Sequence, residues 1–185
     1  MIKDVERAAQ EKMQHSLGVL KKELGTIRTG RATPSLLDGV HVEYYGAPTP
    51  ITQVASVSIP ESRSIVIQPW DPTIMGEIEK AILRANLGLT PTNDGKVIRI
   101  SIPALTEERR KELVKIARKY AEEGRVSLRN VRRDVNEQVK KLEKDGKISQ
   151  DEMRGSHERV QKLTDDFTAQ VNQLIEKKEK EIMEI

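Results

Sequence analysis

Residues 106–144 read TEERRKELVKIARKYAEEGRVSLRNVRRDVNEQVKKLEK. Along them Leu113, Ala117, Tyr120, Gly124, Leu128, Val131, Val135, Val139 and Leu142 recur at steps of three and four. That spacing puts all nine on one stripe of an α-helix. Thr106 is placed to cap its start, with Glu107 and Glu108 opposing the positive end of the helix dipole. At ~1.5 Å per residue the stretch predicts a rod of some 55–60 Å, stopped at Asp145 and Gly146.

Both ends of the chain carry the same period. Val5, Ala9, Met13, Leu17, Leu20, Leu24 and Ile27 form one stripe before Thr29 and Gly30. Ser149 and Glu152 have the spacing of a capping box, and Met153, Val160, Leu163, Phe167, Val171, Leu174 and Ile182 follow as a third stripe. Three helices with one apolar face each are not stable singly, so residues 1–29 and 106–185 are expected to pair as a three-helix bundle. Between them, residues 30–105 are rich in proline and β-branched alternation, which predicts an inserted small β/α/β domain and an α+β fold overall. Its expected strands are His41–Tyr45, Val54–Ile59, Ser64–Gln68 and Lys96–Ile102. Met75, Ile78, Ile82 and Ala85 line one face of a short helix over 73–86, with Gly88 expected as its left-handed cap.

An insertion crosses between domains twice. Gly30 and Arg31 on one strand and Pro103, Ala104 and Leu105 on the other make a two-strand hinge, in which glycine supplies freedom and proline limits it. A fixed elbow is the other reading of the same residues; small interfaces of this kind usually permit motion.

Charge narrows the function. The 185 residues carry a net +3 at a pI near 9.0. Residues 106–144 hold 13 Lys/Arg against 8 Asp/Glu, and residues 145–185 hold 7 against 10. The long helix is the basic one. Aromatic residues are only 3%, too few for a platform on which unpaired bases stack, so an RNA partner is expected to be folded and met through its backbone. The absence of Cys removes disulfides, thiolate metal sites and a cysteine nucleophile. No apolar run approaches the ~20 residues of a membrane span, and the start MIKDVERAAQ has neither a signal core nor transit-peptide character. A cytoplasmic protein with no membrane partner is expected.

The chemistry-bearing stretch is residues 125–134, RVSLRNVRRD. At ~100° per residue, Arg125, Arg129 and Arg132 fall in one narrow sector beside the apolar stripe, with Arg118 on the same line and Arg133 next to it. A guanidinium row suits phosphate oxygens, which arginine grips through two parallel hydrogen bonds. The other reading is a solvated face braced by Glu122, Asp134 or Glu137. Arg28 and Arg31 add basic groups at the expected hinge end, and Arg109 and Arg110 open the long helix. Catalytic and metal readings find no support: His15, His41 and His157 are scattered, and no glycine elbow or phosphate-binding glycine motif occurs. No cofactor and no metal are expected. Tyr44 and Tyr45 are expected to point to opposite faces of a strand, one into the core and one outward, and Trp70 to lie as a lid over the small core.

Four long, irregular stretches resemble ribosome recycling factors: IRTGRATPSLLDGVHVEYYGAPTP (27–50), ANLGLTPTNDG (85–95), PALTEERRKELVK (103–115) and RVSLRNVRRD (125–134). Length and segment order resemble that family from end to end. The resemblance implies an L-shaped molecule that works without catalysis of its own, a monomer that binds the post-termination ribosome. With elongation factor G and that factor's GTP hydrolysis, it would separate the subunits and free messenger and deacylated transfer RNA. It implies large-subunit RNA as the surface gripped, and Arg129 and Arg132 match the family's RNA-contacting arginines; face and charge add Arg125, Arg133, Arg28 and Arg31 as expected RNA contacts. A helical scaffold or chaperone-like interaction protein, its stripes pairing with another chain, is the alternative.

Overall fold

The computed structural model describes residues 1–184. The chain divides into two compact units, one of Met1–Thr29 with the chain from Thr106 onward, the other Gly30–Leu105.

The first unit is three helices: α1 (Ile2–Gly25), α3 (Glu107–Lys144) and α4 (Gln150–Met183). Thr106 caps α3 by accepting from the Arg109 amide at 3.2 Å. Ser149 and Glu152 close a reciprocal capping box on α4, at 3.1 and 2.7 Å. Between α3 and α4, Gly146 takes φ +68, a left-handed conformation that glycine adopts without strain, and its amide returns to the Glu143 carbonyl at 2.9 Å. The apolar stripes meet along the axis, with Met13, Leu17, Leu20 and Leu128 buried. Toward one end Ala9, Val135, Val139 and Val160 form a continuous cluster. The α4 stripe differs in detail from its spacing: Leu174 is only half-buried, while Ser156, Thr164 and Ile175 are inside. The two buried hydroxyls are satisfied, Thr164 donating to the Val160 carbonyl at 2.7 Å and Ser156 to Glu6 Oε1 at 2.7 Å.

Small residues set how closely α1 approaches α3. A Cβ placed on Gly124 would stand 3.4 Å from Leu20 Cδ2, and Ser16 and Ser127 share a hydrogen bond of 2.7 Å.

The second unit contains β1 (His41–Tyr44), β2 (Ala47–Pro50), β3 (Ala55–Glu61), β4 (Ser64–Pro69), α2 (Met75–Arg84), β5 (Pro91–Asn93) and β6 (Ile98–Ser101). β1 and β2 form a hairpin, and the remaining strands an antiparallel sheet in the order β3-β4-β6-β5. Ile65 faces Ile100 and Ile67 faces Ile98 across the β4–β6 ladder. All four are fully buried, and Met75, Ile78 and Ile82 of α2 belong to the same core. Pro60 sits in β3, an edge strand, where no ladder partner needs its missing amide. Gly30 (φ +76) lies close to Leu105: an added Cβ would stand 3.3 Å from Leu105 Cγ and 3.9 Å from the Pro103 carbonyl. The two connecting segments are tied to neighbouring residues of the β3–β4 turn, Ala32 N donating to Ser62 O at 2.7 Å and Ile102 N to Arg63 O at 2.8 Å.

Several local expectations are corrected. Tyr45 is not in a strand: with φ +51 it forms, with Gly46 at φ +76, a turn whose two positive φ values match the twist of a tight hairpin. Its ring is 88% exposed while Tyr44 packs against the core. Trp70 is 67% exposed and is no lid. The left-handed residue that ends α2 is Asn86, directly after the cap at Ala85; Gly88 is left-handed too, but two residues later.

Two outcomes follow. Gly124→Ala adds helix propensity worth ~0.5–1 kcal/mol for an ordinary contact with Leu20 and should raise the thermal midpoint by a few degrees. Gly124→Leu overpacks the α1–α3 seam at a cost of ~1–3 kcal/mol and should lower it. Glu6 gives a pH dependence. Its burial by itself raises the carboxyl pKa, but the hydrogen bonds from Arg159 and Ser156 together with the Arg159 charge hold it below the ordinary 4.5. That contribution is complete above the ordinary value and is lost as pH falls through the lowered one. Thermal melts between about pH 3 and 7 should therefore show a shallower acid limb for Glu6→Gln than for the natural chain.

Candidate nucleic-acid interface

The α3 arginines differ in how firmly the chain itself holds them. Arg118 is bound to Glu179 of α4, which raises its pKa through a hydrogen bond and the paired charge. Arg125 donates to Asn172 Oδ1 at 2.8 and 3.1 Å and to Glu122 at 3.2 Å, leaving 27% of its side chain exposed. Arg129 reaches the other oxygen of Glu122 at 2.7 Å. Hydrogen bonds from Arg129 and then Arg125 hold the Glu122 carboxyl below its ordinary range. Arg132 has no carboxylate partner; it donates to Gln161 Oε1 at 3.1 Å. Arg133 is exposed and makes no ion pair with a described residue. Both readings of the row are therefore present on one helix. Toward its start the guanidinium groups are braced by carboxylates; toward Arg132 and Arg133 they are not.

The unbraced end opens on a cavity of about 480 Å³ between α3 and α4. Arg129, Arg132, Arg133 and Lys140 line it, against one carboxylate, Glu137. Asn130, Asn136 and His157 complete the wall. Four cations around one concave surface give a field suited to an anion. Arginine forks supply the bidentate geometry that phosphate takes.

Three of the six arginines expected to contact RNA thus come together. Arg125 lies further back on α3, clamped to α4. Arg28 follows α1 in the first unit, Arg31 belongs to the second, both are exposed, and neither lines this cavity. Arg109 is paired with Glu112 at 2.9 Å. Among the described residues no group of three or more His, Cys, Asp and Glu is arranged to hold a metal ion, and no helix is long and apolar enough to cross a membrane.

The wall also holds residues that spacing along one helix does not pick out. Asn136 Oδ1 and His157 Nε2 are buried and have no hydrogen-bond partner. An unpaired buried acceptor costs about 1–3 kcal/mol, which a partner arriving from outside would relieve. The pairs Arg118–Glu179, Arg125–Asn172 and Arg132–Gln161 run antiparallel across α3 and α4, and beyond them Asn136 and His157 line the same cavity. Only the pairing of two helices brings them together.

Comparison with known proteins gives the rest. The family model described as Ribosome recycling factor matches residues 20–183. The chain belongs to the ribosome recycling factor family. It is 58% identical over 185 residues to the ribosome-recycling factor of Bacillus subtilis, covering 100% of both chains. It is 59% identical over 177 residues to that of Nitratidesulfovibrio vulgaris, covering 96% of this chain and 95% of the relative. A solution structure of the ribosome recycling factor superposes with a TM-score of 0.76 at 45% identity, covering 100% of this chain and 98% of the other. A second similar structure describes the T. thermophilus ribosome recycling factor and E. coli elongation factor G bound to the E. coli post-termination complex. It has a TM-score of 0.64 at 48% identity, with full coverage of both chains.

Arg132 has no carboxylate to lose, so Arg132→Ala should leave far-ultraviolet circular dichroism unchanged. Loss of a charge-assisted bond should weaken co-pelleting with large ribosomal subunits by ~1–3 kcal/mol. Unchanged pelleting at moderate salt would take this arginine out of the interface.

Proposed function

We propose that this chain recycles ribosomes after termination. It binds the post-termination ribosome and, together with elongation factor G and GTP hydrolysis by that factor, promotes separation of the subunits and release of messenger and deacylated transfer RNA. The observation that carries this reading is full-length similarity to a factor described on a post-termination complex with elongation factor G, in a chain whose own basic cavity suits RNA phosphates.

In this reading the helical unit is the RNA-binding rod, and Arg129, Arg132 and Arg133 grip large-subunit RNA directly. Arg125, tied to Asn172 and Glu122, stiffens the row and adds charge, with Arg28 and Arg31 as further contacts. The chain performs no chemistry of its own; the partner GTPase supplies the energy. It acts as a cytoplasmic monomer. The inserted domain turns about Gly30, Arg31, Pro103, Ala104 and Leu105 when the elongation factor pushes it. Ala32 and Ile102 are hydrogen-bonded to the β3–β4 turn, so they move with that domain and confine the pivot to the residues outside them.

Such a factor works by differential affinity, since a ligand that binds two states equally shifts neither. Rigidity is part of the mechanism, because a rod that bent to fit the resting ribosome would lose the difference.

Incubating the protein with post-termination ribosomes, elongation factor G and GTP, then sedimenting, tests the reading. Free subunits should appear only when all three additions are present. Intact ribosomes in the complete mixture would reject it.

A further inference from the structure

The arginines at the α3–α4 cavity account for an anion, but they leave two buried groups unexplained. Asn136 Oδ1 is an acceptor, and His157 Nε2 is one as well when the neutral ring carries its proton on Nδ1. Both atoms are buried and unpartnered on the wall of the same cavity. A phosphate offers only acceptors, so it satisfies Arg129, Arg132, Arg133 and Lys140, and His157 Nε2 when that atom carries the proton, but does nothing for Asn136 Oδ1. The missing partner is a donor, delivered by something that also carries phosphates.

We propose that the cavity between α3 and α4 receives one unpaired adenine of the RNA, read by Asn136 and His157, while the surrounding arginines and Lys140 hold the phosphates on either side. The proposal rests on the RNA-binding reading above and adds base selectivity to it. An asparagine amide matches adenine in particular, its oxygen accepting from the N6 amino group and its nitrogen donating to a neighbouring ring nitrogen. Bases displaced from a structured RNA are the ones proteins read by hydrogen bonding, held against histidine rings or guanidinium planes where aromatic platforms are lacking. The volume of about 480 Å³ lies within the range of small-molecule pockets.

The test uses the full chain and three hairpin RNAs that differ only in one bulged nucleotide, adenine, uracil or guanine, with binding followed by fluorescence anisotropy at low salt. Large-subunit pelleting is measured on the same preparations. The natural chain should bind the adenine hairpin about 5- to 150-fold more tightly than the uracil one, the range for one bidentate base contact. Asn136→Ala, a substitution that favours helix, should bind all three as the natural chain binds the uracil hairpin. Arg132→Ala should weaken all three in parallel and keep the ratio. Equal binding of the three by the natural chain, no binding to any, preference for another base, or an adenine preference that survives Asn136→Ala each overturns the adenine pocket. If pelleting persists in such a case, only the pocket is withdrawn; if the natural chain fails to pellet, the ribosomal reading falls with it.

Discussion

A 38-residue helix with one apolar stripe does not hold its shape in water by itself; most helical stability in proteins comes from packing such a face. Here α1 and α4 close over that stripe, and the seam they make fixes where every α3 side chain stands. The contact at Gly124 and the Ser16–Ser127 hydrogen bond keep α1 tight against α3. The bonds from Arg118 to Glu179, Arg125 to Asn172 and Arg132 to Gln161 bridge the α3–α4 seam at its surface. The arginine row and the cavity beside it are consequences of that packing, set at spacings a free helix could not maintain.

In the proposed function, bracing and recognition are divided along one helix. Glu122 and Asn172 spend the binding capacity of Arg125 and part of that of Arg129 on stiffness. Arg132, bonded only to Gln161, and Arg133 have no carboxylate partner and are the groups proposed to meet an external anion. Exposed ion pairs of this kind add little stability, so Glu122 matters for aim more than for folding. A phosphate approaching Arg129 would compete with Glu122, which makes the braced end the weaker part of the proposed grip.

Most of the architecture was legible in the chain itself because the helical stripes are long and regular: Leu113 through Val139 and Ala9 through Leu24 admit one period only. The short strands were harder. β2 carries Pro48 and Pro50 and β5 begins at Pro91; each pairs on one side only, so neither needs the alternation that marks a half-buried strand. Tyr45 follows strand residues yet turns the chain, a role usually taken by Asn or Gly. Trp70 is exposed despite its apolar ring, which no local pattern indicates. At the candidate site, Arg129, Arg132 and Arg133 were visible because they share one helix. Asn136 and His157 were not, because 20 residues and a helix reversal separate them, and polar residues at such distance carry no mutual signal.

If guanidinium groups at fixed spacing meet RNA phosphates, binding must release counterions. The measurement that bears on this most directly is the salt dependence of binding to large ribosomal subunits. The logarithm of the association constant should fall linearly with the logarithm of salt concentration. Each phosphate contributes about −0.7 to −0.9 to the slope, giving roughly −3 to −5 for four to six contacts. A slope near zero, with binding retained, would contradict the account.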